Sequence, residues 1–485
     1  MLRRLAATAR HFPRASAMSS AVSPSSQNDA LLVRKSANGR ILTLNRPKAF
    51  NALNLPLIRS LTSYILNYAT SPLASVIILR TQHPKAFCAG GDVREILCLA
   101  QEHHPDAIRF FLEEYQLNHA LGTIPKPIVA MMDGITMGGG VGISVHAPFR
   151  IATEKTIFSM PETKIGLFPD VGGSYFLPRL DGNLGYYLAL TGAQLKGVDV
   201  LRAGIATHFV PSERLDDLEK RLCELDNADP LMIDSAIEEF SGDIDGVDSH
   251  GTWSLGGEIR EKIDTIFDAT SLHDILARLK KHANQGDTWC QAQLDTLNAM
   301  SPTSMLITLH LLKNGANASF TDCFKNEFQL VQHVLSAKAD FFEGVDALLN
   351  SKPPRPAHWH PATVEAMNEE AILQQYFGAA VKEELVLPSP LWRDYQQNQQ
   401  GGRIVELHTE TIHRNQFALP SEKQVLSIIA GQHPGSGAMQ WTLPEVVEWF
   451  QRERNGKQWV AQHVMEICLR KCNVDPQGGF LSLKK

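Results

Sequence analysis

Between residues 133 and 179 the sequence runs Asp133-Gly-Ile-Thr-Met-Gly-Gly-Gly-Val-Gly142, then Phe158-Ser-Met-Pro-Glu162, then Gly166-Leu-Phe-Pro-Asp170-Val-Gly-Gly173, closing at Pro178-Arg179. Glycine loses more conformational freedom on folding than any other residue, so eight in one short stretch need a physical reason. Close approach of bare backbone to a ligand is one. Gly138, Gly139 and Gly140 can aim unhindered N–H groups at a substrate oxygen. If a helix starts there, those groups sit at its positive end, the arrangement that holds an oxyanion. A second glycine turn, Lys85-Ala-Phe-Cys-Ala-Gly-Gly-Asp92, follows another strand-like run. One N–H from each turn, converging on one carbonyl oxygen, would stabilise an enolate or a tetrahedral intermediate. Glu162 and Asp170, each preceded by a proline, then supply acid, base or nucleophile. A dry, glycine-lined pocket raises a carboxylate's pKa, which suits a base. Glu114 is a third candidate carboxylate. The competing reading is tight glycine packing beside two exposed acids.

Other chemistries find little support. The sequence has no Gly-x-x-x-x-Gly-Lys-Ser/Thr phosphate loop and no Gly-x-Ser-x-Gly nucleophile elbow, and Gly138 to Gly142 matches a dinucleotide fingerprint poorly. No metal-ligand cluster stands out. The residues therefore point to an oxyanion-hole enzyme with no added cofactor.

Alternating short strands and helices must position these groups. Leu31-Leu-Val33 and Arg40 to Leu44 read as strands around an Asn38-Gly39 turn. Residues 54 to 69 carry Leu57, Ile58, Leu61, Ile65 and Leu66 at helical spacing. Val76 to Leu79, Pro127 to Met132, Phe149 to Ala152 and Thr156 to Phe158 are further strands. Residues 106 to 121 form a helix with Phe110, Phe111, Tyr115 and Leu117, and with Glu113 and Glu114 inside it. The expected fold class is α/β, as stacked units sharing one core, over residues 29 to 229. From 230 to 387 the pattern is helix after helix.

The ends differ in character. Residues 1 to 28 contain Arg3, Arg4, Arg10 and Arg14, many serines and no acid, the signature of a mitochondrial transit peptide. Residues 388 to 403 are glutamine-rich and read as a linker. Residues 404 to 485 read as a small helical extension with Trp441, Trp449 and Trp459. Its Arg452, Arg454, Lys457, Arg470 and Lys471 are taken as a solvated basic face in preference to a nucleic-acid contact. A net charge of −6 argues against a strongly basic nucleic-acid binder. Seven scattered cysteines make a disulfide framework improbable. No run of about 18 apolar residues suggests a membrane span.

The chain from about Leu32 to Leu387 closely resembles the crotonase (enoyl-CoA hydratase/isomerase) superfamily, in particular its thioester-hydrolysing members. The resemblance is carried by Asn45-Arg-Pro, Ala86-Phe-Cys-Ala-Gly-Gly-Asp92, Phe111-Leu-Glu-Glu-Tyr115 and Gly134-Ile-Thr-Met-Gly-Gly-Gly-Val-Gly142. It continues through Met160-Pro-Glu-Thr163, Ile165 to Gly173, Tyr175-Phe-Leu-Pro-Arg179 and Ala203-Gly-Ile-Ala-Thr-His-Phe-Val210. It implies a spiral of ββα turns with a helical C-terminal region. It also implies a CoA thioester as substrate, whose carbonyl oxygen is held by the N–H groups of Gly91 and Gly139. Glu114, Glu162 and Asp170 would contact that substrate, and Glu162 and Asp170 would be catalytic. Hydratases of the superfamily usually place a catalytic glutamate where this chain has Gly142, so hydration of a double bond is disfavoured and thioester hydrolysis remains. The implied substrate is 3-hydroxyisobutyryl-CoA in valine breakdown, in the mitochondrial matrix. The resemblance adds no metal or redox cofactor, CoA being part of the substrate. Superfamily members are often trimers, so a homo-oligomer is compatible with it. It stops before residue 388. Such hydrolases have also been recruited into mitochondrial ribosome small subunits, so the extension is read as a docking piece for that role or, equally, as an oligomerisation or regulatory piece. Cutting the chain after Leu387 is expected to spare the chemistry.

Overall fold

The computed structural model describes residues 30–226, 229–242, 253–268, 271–336, 339–380, 382–387, 415–433, 440–476 and 478–484. The expected leader (1–28) and linker (388–403) lie outside them. Among the described residues the first two hundred form two sheets. The larger contains β1 (Leu31–Ser36), β2 (Gly39–Leu44), β3 (Val76–Thr81), β5 (Ile128–Met132), β7 (Phe149–Ala152) and β10 (His208–Phe209), in the order β1-β2-β3-β5-β7-β10. The smaller contains β4 (Ala86–Cys88), β6 (Ile135–Met137), β8 (Ile157–Ser159) and β9 (Leu195–Lys196), in the order β4-β6-β8-β9. All pairs are parallel except β1 with β2 and β8 with β9.

The expected first turn is displaced by one residue. Ser36 pairs with Gly39, so the turn is Ala37-Asn38, with Ala37 at a φ of 43° and Gly39 already in the strand. Gly39 is needed there for space, since a Cβ on it would collide with Cys223 Sγ.

Strand alternation gives the larger sheet two buried faces. Ile41, Val76, Ile78, Val129, Met131, Phe149 and Ile151 point into one core. Leu42, Ile77, Leu79, Ile128 and Ala130 point into the other, which they share with the helices. Helix α1 (Leu55–Thr70) starts where Asn54 accepts a hydrogen bond from Leu57 N, and it buries Leu57, Ile58, Leu61 and Ile65. Helices α2 (Val93–Gln101) and α3 (Asp106–Thr123) follow β4, α4 (Gly139–Val145) follows β6, and α5 (Gly173–Phe176) follows β8.

Residues 415–433 and 440–484 pack against this body. Phe417 stacks on Phe149 at 4.7 Å and joins the second core, and Trp459 meets Phe209 edge-on at 6.1 Å. The basic residues expected on a solvated face are largely consumed at this junction. Lys457 is buried, with Nζ 3.2 Å from Asp234 Oδ1 and 3.0 Å from Glu238 Oε1. Asp234 also accepts from His208 Nε2 at 2.9 Å. Arg470 is buried between Glu422 (2.7 Å) and Asp264 (3.3 Å), and Lys471 reaches the same two carboxylates. Only Arg452 keeps a solvent-facing pair, with Glu448.

These contacts weigh against the expectation that cutting the chain after Leu387 spares the chemistry. Cutting after Leu387 uncovers Phe149, removes Lys457 from Asp234 and Glu238, and leaves Asp264 with Arg260 but without Arg470 and Lys471. Loss of one partner from a buried pair costs about 3–5 kcal/mol. We therefore expect Lys457→Ala to lower stability by about that amount in urea unfolding, and the truncated chain to be insoluble or to melt well below the full chain. A soluble truncated protein with an unchanged melting temperature would contradict this.

Candidate active site

Three adjacent parallel strands end side by side, and each turn that follows carries a site residue. β4 leads into Ala89-Gly90-Gly91, β6 into Gly138-Gly139, and β8 into Met160-Pro161-Glu162. The pairing of β4 with β6 and β6 with β8 is what brings residues far apart in sequence to one edge. Gly91 N lies 3.2 Å from where a Cβ on Gly139 would be, so the two peptide N–H groups are neighbours. Neither N–H donates to an acceptor among the described residues.

Each glycine of the triplet answers a different neighbour. Gly138 has a φ of 47°, and a Cβ on it would stand 2.8 Å from Glu162 Oε1. A Cβ on Gly139 would overlap Glu114 Oε1, and one on Gly140 would overlap the carbonyl oxygen of Cys88. The triplet thus lets the first turn of α4 touch β4 on one side and two carboxylates on the other. A Cβ on Gly142 would lie 2.6 Å from Val171 Cβ and 2.7 Å from Asn118 Nδ2. A glutamate there would displace both.

The structure brings all five expected site residues together. Glu114, Glu162 and Asp170 are buried rather than exposed, which removes the competing reading of surface acids. Glu113, the other acid of the α3 motif, faces away and pairs with Arg59 at 2.7 Å. Burial, then Asp170 and Glu162, push the Glu114 carboxyl well above the usual range. Burial, then Asp170, do the same to Glu162. Burial raises Asp170 to about 7, held back by the Tyr115 hydroxyl, which donates to Asp170 Oδ2 at 2.7 Å. Glu114 Oε1 and Glu162 Oε2 have no hydrogen-bond partner among the described residues. Two peptide donors and protonatable carboxylates around one point can hold a carbonyl oxygen and move a proton beside it.

Three residues were not singled out from sequence as site residues. Tyr115 and Asn118 share α3 with Glu114, and Asn118 sits one turn on, so the helical period carried a signal for it. Glu327 carried none. It lies on the helix Phe320–Val334, where its carboxylate accepts from Gly172 N at 2.7 Å, from Ser174 N at 2.9 Å and from Ser174 Oγ at 2.5 Å. These bonds pin the loop after Asp170, where Val171 has a φ of 51° and Gly172 of 83°. Burial raises Glu327 to about 8 despite those donors.

Comparison with known proteins decides the family. A sequence model of the enoyl-CoA hydratase/isomerase family matches residues 39–377. The chain belongs to that family. It is 45% identical over 342 residues to "3-hydroxyisobutyryl-CoA hydrolase, mitochondrial" of Gallus gallus, covering 70% of this chain and 87% of that protein. The human protein of the same name is also 45% identical over 342 residues, with 86% of it covered. "Small ribosomal subunit protein mS47" of Neurospora crassa is 39% identical over 451 residues, covering 89% of this chain and 83% of that protein. A carnitinyl-CoA dehydratase structure from Mycobacterium thermoresistibile superposes with a TM-score of 0.66 at 31% identity, over 74% of this chain and 99% of that one. The recognition made from the sequence motifs and the crotonase-type α/β fold both stand.

The raised acids fix the sign of a pH effect. Between the ordinary aspartate value of 3.8 and about 7, native Asp170 holds a proton that the unfolded chain has released. Stability therefore falls as pH rises through that window. We expect Asp170→Asn to reduce this decline and to raise the melting temperature at neutral pH, while impairing turnover. A lower melting temperature with the same pH dependence would contradict the burial assigned to Asp170.

Proposed function

We propose that the chain hydrolyses the thioester of 3-hydroxyisobutyryl-CoA, giving 3-hydroxyisobutyrate and free CoA, a step of valine breakdown in the mitochondrial matrix. The observation that carries this reading is the convergence of two unused peptide N–H groups with buried Glu162, beside a Gly142 that has no room for a second glutamate. The relatives named as 3-hydroxyisobutyryl-CoA hydrolases support the substrate, and their names also support the mitochondrial location. Among the described residues no helix is long and apolar enough to cross a membrane.

The N–H groups of Gly91 and Gly139 bind the thioester oxygen and strengthen their hold as it gains negative charge. Glu162, as carboxylate, takes the proton of a water that adds to the carbonyl carbon. The tetrahedral intermediate collapses, the carbon–sulfur bond breaks, and the proton passes to the departing thiolate. Direct attack by Glu162 expels the thiolate and forms an anhydride that water then opens; label found in Glu162 after single turnover in heavy-oxygen water marks that path, with water adding at the Glu162 carbonyl. Asp170, bound to Tyr115, orients the acyl hydroxyl or relays a proton, and Glu114 lines the acyl site against Gly139. These steps call on no metal or redox cofactor. Because Glu162 must lose its proton to act, and burial holds that proton more tightly than usual, turnover increases with rising pH.

A second reading has its own observation. An alignment over 89% of the chain takes in part of the segment after residue 388 wherever it starts, and the relative so aligned is a ribosomal small-subunit protein. Association of this chain with the mitochondrial ribosome is compatible with hydrolysis. The extension's buried Lys457 and Arg470 would contribute little to RNA contact.

The test is CoA release from (S)-3-hydroxyisobutyryl-CoA beside hydration of crotonyl-CoA, with the full folded chain. We expect release without hydration, and at least about a thousandfold loss of release in Glu162→Gln with an unchanged fold. Near-normal release in that variant would remove Glu162 from its role. No turnover of either thioester, with salt-sensitive co-sedimentation with mitochondrial ribosomes, would favour the second reading.

A further inference from the structure

Asn118 is fully buried on α3, and neither its Oδ1 nor its Nδ2 has a hydrogen-bond partner among the described residues. Its carboxamide is lodged between α4 and the residue after Asp170: the space beside Gly142 is bounded by Asn118 Nδ2 and Val171 Cβ. Gly139 and Gly142 lie three apart on one face of α4, and Glu114 and Asn118 four apart on one face of α3. The two faces meet as a ladder. Its first rung sets Glu114 against Gly139, and its second sets Asn118 against Gly142.

A buried amide with nothing to bond is costly, whereas leucine has the same branching and carries no such penalty. Packing alone gives no reason for asparagine here. The same condition, a buried polar atom without a partner among the described residues, holds for Glu114 Oε1 and Glu162 Oε2, the groups assigned above to substrate. Unlike those acids, the amide offers a donor and an acceptor together. A hydroxyl is the acyl substituent that can use either, accepting from Nδ2 or donating to Oδ1.

We propose that Asn118 is a specificity-determining residue that binds the hydroxyl of the acyl chain at the inner end of the site. This rests on the functional reading above and names what selects a hydroxylated acyl group over a plain one. A site built to bond a substrate hydroxyl rejects the analogue lacking it far more strongly than an apolar pocket rejects a change in size.

The experiment compares 3-hydroxyisobutyryl-CoA with isobutyryl-CoA in the parent chain and in Asn118→Leu and Asn118→Ala. In the parent we expect kcat/KM to favour the hydroxylated thioester at least about 100-fold. Both variants should narrow that preference below about 10-fold, by losing activity on the hydroxylated thioester and keeping it on the other. Equal losses on both thioesters would make Asn118 a structural residue and overturn the assignment. A parent with no preference would overturn it too. A parent that turns over neither thioester would overturn the functional reading itself, and this assignment with it.

Discussion

The whole site depends on how closely the first turn of α4 can approach its neighbours. Gly140 rests on the carbonyl of Cys88, Gly139 on Glu114 and Gly138 on Glu162, so a side chain at any of the three would push one partner away. That approach holds the α4 turn against the β4 turn and makes Gly91 N and Gly139 N neighbours. It also sets Glu114 of α3 against Gly139 and Glu162 after β8 against Gly138. The parallel β4-β6-β8 order fixes the strand ends. The glycines turn that alignment into the place where we propose a carbonyl oxygen binds.

The acids around this place oppose folding. Burial pushes Glu114, Glu162 and Asp170 toward their protonated forms, and Asp170 adds repulsion to both glutamates. Such an arrangement persists only where the surrounding structure compels it. Tyr115 holds Asp170 from α3, and Glu327 ties down the loop after it through Gly172 and Ser174. The helical region beyond residue 230 therefore helps fix the geometry of a site whose own residues all lie before 171.

The sequence made the chemistry legible because the signals were local: two glycine turns after two strands, two proline-flanked acids and a helix bearing Glu114. The α/β class followed from the alternation of apolar runs. Tyr115 and Asn118 stood inside a recognised motif, but their direction depends on where α4 lies. Glu327 was invisible, because its partners are more than 150 residues away. The same distance misled the reading of the extension. Lys457 and Arg470 look like surface cations in sequence, and only the fold sets Asp234, Glu238 and Asp264 against them.

The extension is thus joined to the body by buried charge and by Phe417 on Phe149, and its presence does not alter the logic of the strand-end site. That logic makes one physical demand, that a bound thioester carbonyl be polarised by the Gly91 and Gly139 N–H groups. The most direct measurement is the isotope-edited infrared difference spectrum of 3-hydroxyisobutyryl-CoA labelled at the carbonyl carbon and bound to the Glu162→Gln protein. The carbonyl stretch should move to lower frequency than in free solution, as a bond weakened by two donors does. A bound thioester whose carbonyl stretch equals that of the free molecule would contradict the account.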